Sequence, residues 1–225
     1  MNKPTRVLIV APHPDDEVLG CGGVMARHAA EGAEVQVVVV TRGIEEKYPD
    51  ALIAQVRGEL AEAHRILGVS GVRYLEFPAP RLDTIPRHEL ADAIRAVLSE
   101  FRPEIVYVPH HGDVHLDHGQ VYHAVLVAAR PLSNCPVRRL LSYETLSETE
   151  WSPPRPTAAF HPTVFVDIAE YLEKKLAAMA CYRSQLKEPP NPRSLRNIEA
   201  LARVRGATID THAAEAFMLI RDITR

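Results

Sequence analysis

Four short apolar runs rich in β-branched residues, 7–11, 33–43, 72–77 and 104–109, punctuate the first half of the chain. Between them lie segments whose apolar residues recur at helical spacing. In residues 50–69, for example, Ile53, Val56, Leu60, Ala63 and Leu67 form one stripe that Gly68 ends. Strands joined through helices run parallel and need helices over both faces of their sheet. The sequence therefore predicts an α/β fold, Rossmann-like, with a mostly parallel sheet flanked by helices on both faces, as a single domain over residues 1–225. The second half predicts a helix from about Asp117 to Ala129, strands at 138–145, 163–168 and 214–223, and a helix at 169–186. Two proline-rich stretches, 151–162 and 186–194, read as surface loops suited to covering a site.

A sheet of this kind binds ligands beyond the carboxyl ends of its strands, where strand order reverses. With the common order 3-2-1-4-5, strands one and four lie side by side at that point. Strand one runs into "PHPDDE" and strand four into "PHHGDVHLDH", the two segments richest in metal-type side chains. His13 and Asp16 are three apart at a turn into a helix, and His115 and His118 are three apart at the start of another, with Asp117 between. His13, Asp16 and His118 would give a tetrahedral zinc three protein ligands and one open position, the arrangement of a catalytic site. Iron and cobalt accept similar donor sets. Either aspartate alone would serve as a helix cap; the convergence of both clusters favours a metal. His28, His64, His88 and His123 read as partnerless surface or boundary residues of helices, and His110, His111 and His161 fit either role. "GCGG" lacks the spacing of a phosphate loop.

The totals exclude several classes. A net charge of −3 with 24% charged residues gives nucleic acid no electrostatic footprint, so a small molecule is the expected partner. Cys21, Cys135 and Cys181 show no paired spacing, which points to a reducing cytoplasm, and no apolar segment approaches the length of a membrane span.

"PHPDDE" and "HLDH" resemble the two motifs of the PIG-L/LmbE-like zinc-dependent de-N-acetylases. The similarity continues through 57–69, 102–118, 165–179 and 205–217. "NPRS", with "RLDTIP" and "SYETLSETEW", is similar to a bacterial branch associated with surface polysaccharides. The resemblance implies hydrolysis of the acetamide of an N-acetylated amino sugar or glycoconjugate, with Zn2+ held by His13, Asp16 and His118. It makes Asp15 the general base, His115 the general acid acting as an imidazolium, Asp117 the partner that orients it, and Arg57 a substrate contact. Asp113 stands where some relatives carry a substrate-side tyrosine. Relatives often form trimers or hexamers, so the resemblance leaves room for a homo-oligomer, with the proline-rich stretches serving either as covers or as contacts between subunits. A deacylase of a thiol conjugate or antibiotic intermediate keeps the same metal, whereas a nucleotide-binding module would place acids against phosphate.

Overall fold

The computed structural model describes residues 4–153 and 156–224. Seven strands form one sheet in the order β3-β2-β1-β4-β5-β7-β6. β1 (Arg6–Ala11), β2 (Glu34–Gly43), β3 (Gly71–Ala79), β4 (Ile105–Pro109) and β5 (Arg139–Tyr143) are parallel. β6 (Val164–Asp167) and β7 (Ala214–Asp222) join antiparallel at one end. The helices are α1 (Asp16–Ala30), α2 (Asp50–Leu67), α3 (Arg87–Phe101), α4 (Leu116–Ala128), α5 (Leu172–Cys181) and α6 (Leu195–Ala207).

Side chains alternate along a strand, and β1 uses both faces for core. Val7 and Ile9 pack with α1, α2, α5 and α6, while Leu8 and Val10 pack with α3 and α4. That double burial is why β1 reads as an unbroken apolar run. β1 and β4 are hydrogen-bonded neighbours, with Val7 opposite Ile105, so the loops that follow them emerge side by side.

α1 approaches the sheet more closely than a helix with full side chains could. A Cβ on Gly20 would come within 2.2 Å of the Tyr143 ring, and Tyr143 in turn donates its hydroxyl to the Val10 carbonyl. The middle of α1 is also stapled from outside. The Glu215 carboxylate accepts from the amides of Gly23 (2.9 Å) and Val24 (2.7 Å), and Lys175 Nζ donates to Leu19 O (2.7 Å) and to Glu215 (2.6 Å). Both side chains are buried. Removing one partner of such a pair strands the other charge, so Lys175→Met should destabilise the metal-free protein by about 3–5 kcal/mol in urea unfolding.

The proline-rich stretch 151–162 forms turns and irregular backbone around Pro154 and Arg155, which lie outside the described residues. The stretch 186–194 is a surface loop, exposed over 187–190, from which Arg193 reaches inward to Asp15. The helix expected over 169–186 begins with a 3-10 turn at Ala169–Tyr171 and stops at Cys181, where Tyr182 turns inward to full burial.

Candidate active site

The turn after β1 carries the first group of polar residues. Asp15, which precedes α1, has a left-handed backbone (φ 104°), a conformation that costs of order 1–3 kcal/mol in a residue other than glycine. Its carbonyl accepts from Val18 and Leu19, and its amide donates to Glu17 Oε2 at 3.1 Å. Glu17 is fully buried, and its other oxygen accepts from Tyr182 and lies 3.1 Å from His64 Nε2. The third acid of the motif therefore clamps the backbone that aims the first. His64, expected to be a partnerless surface or boundary residue, is buried in this clamp, because its helix stripe turns it toward α1. His28 likewise has a partner, the Tyr107 hydroxyl at 3.1 Å.

The loop after β4 brings the second group. His115 caps α4, and its Nδ1 accepts from the Asp117 amide at 3.2 Å. One turn of chain further on, His118 is buried. Its Nε2 lies 3.3 Å from Asp16 Oδ2, and Asp16 Oδ2 lies 3.2 Å from His13 Nδ1. Ligand-type atoms of His13, Asp16 and His118 all fall within 4.8 Å of one another.

The donor set fits a divalent metal ion. His118 Nε2 and Asp16 Oδ1 are buried without a hydrogen-bond partner among the described residues, a costly arrangement unless something else binds them. The opposite nitrogen of each imidazole is held by a carboxylate: His118 Nδ1 by Asp113 Oδ2 at 2.7 Å, and His13 Nε2 by Asp117 Oδ2 at 3.1 Å. Carboxylates in those places fix the ring orientation and raise the basicity of the nitrogen left for a metal. A second cluster, His13, His115 and Asp117, meets the same distance criterion. Its members are already engaged, since Asp117 Oδ1 accepts from the Leu82 amide and His115 Nδ1 from the Asp117 amide.

The charges agree with a site built for a cation. Burial opposes a proton on His118, but Asp16 and Asp113 outweigh it and raise its pKa to about 10. Burial likewise opposes charge on His13, and Asp117 and Asp16 overcome it to raise that pKa to about 9. Burial also works against the Asp16 carboxylate, yet His118 and His13 hold it well below the ordinary carboxylate range.

Three expected roles change place. Asp113 does not line the cavity; its oxygens accept from Thr149 (2.6 Å) and face His118, because the turn before α4 points it inward. The Asp117 carboxylate serves His13 and the Leu82 amide, so only its backbone touches His115. For His115, burial, then the neighbouring His13 and His118, lower the pKa to about 4, the direction opposite to the one an imidazolium role needs. With Nδ1 accepting an amide proton, the neutral ring carries its own proton on Nε2. Arg57 does line the cavity, where it pairs with Glu76 and lies 4.4 Å from the centre of the Tyr74 ring.

The residue missed by sequence reasoning is Arg193. Its guanidinium donates to Asp15 Oδ2 at 2.8 Å, to Ser147 at 2.7 Å and to Glu148 at 3.4 Å. Burial raises the Asp15 pKa, Arg193 restrains the rise, and Asp16 and Glu17 add to it, leaving a value of about 7. Loss of Arg193 removes the restraint. Arg193→Ala should therefore raise the Asp15 pKa further, a shift that NMR titration of the carboxyl group reads. A titration that stayed in place would remove Arg193 from this role.

His13, Asp15, His115, Glu148 and Arg193 line a cavity of about 250 Å³, and Asp16 and His118 lie buried behind His13 and Asp15. The family described as PIG-L, GlcNAc-PI de-N-acetylase, matches residues 8–129. The uncharacterized deacetylase YaiS of Escherichia coli K12 is 33% identical, over 81% of this chain and 93% of its own. The 1D-myo-inositol 2-acetamido-2-deoxy-alpha-D-glucopyranoside deacetylase of Mycobacteroides abscessus is 31% identical, over 87% and 88% respectively. Among solved structures, the conserved protein TT1542 from Thermus thermophilus superposes with a TM-score of 0.77 at 31% identity, covering 97% of this chain and 96% of that one.

Proposed function

The chain belongs to the PIG-L (GlcNAc-PI de-N-acetylase) family, and from that premise we propose that it is a metal-dependent N-deacetylase. Its substrate is an N-acetylated amino sugar or glycoconjugate, which it hydrolyses to acetate and a free amine. Deacetylase names among its relatives support the reaction. The observation that carries the site is the pair of buried atoms without a hydrogen-bond partner among the described residues, His118 Nε2 and Asp16 Oδ1, with His13 and Asp15 of the same loop lining the cavity.

His13, Asp16 and His118 would hold the ion, with zinc our assignment. A divalent ion there supplies Lewis acidity, polarising the acetamide carbonyl and making water more acidic. Asp15 takes a proton from the attacking water. Arg193 holds Oδ2, and Oδ1 has no hydrogen-bond partner among the described residues, so that oxygen is the one we assign to the water. Its pKa near neutrality lets it accept that proton and release it again. His115 donates its Nε2–H to the acetamide oxygen as negative charge develops there. Asp15 then passes the proton to the nitrogen, the C–N bond breaks, and the amine leaves neutral rather than as an anion.

The test is acetate release by the zinc-loaded protein from a panel of N-acetylated amino sugars, including glycosides. The proposal expects one free amine for each acetate on at least one member. A protein that holds one equivalent of metal and releases no acetate from any of them would contradict it.

A further inference from the structure

The cavity extends well past the catalytic end, and its walls change character. Leu52, Ile53 and Val56 line it from the first turns of α2, and Tyr48 and Tyr74 add ring surface. This wall is built closely. Tyr48 packs over the end of β2 at Gly43, where a Cβ would come within 2.7 Å of the ring. Any side chain there would push Tyr48 off its seat.

The charged groups at the same end cancel. Arg42 pairs with Asp50 and its Nε lies 3.9 Å from Glu76, while Arg57 pairs with Glu76 and rests on the Tyr74 ring. Arg193, at the catalytic end, is taken by Asp15 and Glu148. Each arginine lining the cavity thus has a carboxylate partner among the described residues. A phosphate group would have to displace a carboxylate from one of these pairs, exposed at Arg42 and Arg57, and would only exchange one screened anion for another. An uncharged apolar group needs no such exchange and gains from leaving water.

We propose that this compartment binds the aglycone of the substrate, and that the aglycone is an uncharged apolar group rather than a phosphate-linked one. The inference rests on the deacetylase reading, because it takes the acetamide to occupy the His13, Asp15 and His115 end. Ile53 is then a specificity-determining residue.

The experiment compares kcat/KM of the zinc-loaded protein on N-acetylglucosamine, its phenyl and octyl glycosides, and its 1-phosphate. Burial of the phenyl or octyl group should raise kcat/KM about tenfold or more over the free sugar, and the 1-phosphate should show no gain. In Ile53→Asp the ratio of phenyl glycoside to free sugar should fall toward unity. Calorimetric binding of the amine products, phenyl glucosaminide against glucosamine 1-phosphate, reads the same preference without turnover. Preference for the phosphate, or a ratio indifferent to Ile53→Asp, would overturn the inference while leaving deacetylation intact. Tighter binding of the phenyl amine by a protein that releases no acetate would uphold it and remove the reaction assignment instead.

Discussion

Asp15→Asn should lower acetate release by about 10²- to 10⁴-fold, the range for loss of a general base, with metal stoichiometry unchanged. The amide is close to the carboxylate in shape and can still accept from Arg193, whose guanidinium lies 2.8 Å from Asp15 Oδ2. It cannot take a proton. The backbone clamp on Asp15 comes from its own amide and Glu17, and the substitution leaves that hydrogen bond in place. Asp15 does not belong to the group of atoms that converge for a metal. The pairing of lost turnover with retained metal is therefore the expected signature. Near-normal turnover in Asp15→Asn would remove the base from the mechanism.

His118→Ala should lose both metal and activity. His118 is the most deeply committed member of the group, with Asp16 on one side and Asp113 on the other. Replacing it deletes one ligand and leaves the Asp113 carboxylate buried without its imidazole. Loss of an outer hydrogen-bond partner alone weakens a metal by about 10–100-fold, and loss of the ligand itself should exceed that. Equilibrium dialysis against zinc measures it, with Asp15→Asn as the internal control. Since Thr149 still donates to Asp113, the fold around α4 should persist, which circular dichroism can check.

Much of this arrangement was legible in the sequence because it follows from periodicity and topology. The unbroken apolar run of β1 signals a strand buried on both faces, and the alternation with helices brings β4 beside it. From there the meeting of "PHPDDE" with "HLDH" is a matter of chain connectivity.

What stayed hidden depends on contacts between distant parts of the chain. Arg193 is one cation in a proline-rich stretch; "NPRS" marks the segment by resemblance, but its charge alone does not point to Asp15, which lies 178 residues away. α6 was missed although its signals were present. Ser194 caps it by accepting from the Asn197 amide, and Ile198, Ala202 and Gly206 follow at helical spacing on its buried face; the prolines just before it favour a loop. His64 was misread because its partner, Glu17, is the third acid of a motif distant along the chain. The roles of Asp113 and Asp117 could not be separated by spacing, since both sit within five residues of His118, and only the direction of each side chain tells which imidazole it holds.

X-ray absorption on the zinc-loaded protein addresses the metal centre itself. One zinc per chain should show two imidazole nitrogens and a remainder of oxygen, from a carboxylate and solvent, with the signal of one imidazole gone in any zinc that His118→Ala retains. A sulfur ligand, or an unchanged spectrum and stoichiometry in His118→Ala, would mean that the loops after β1 and β4 do not share a metal ion.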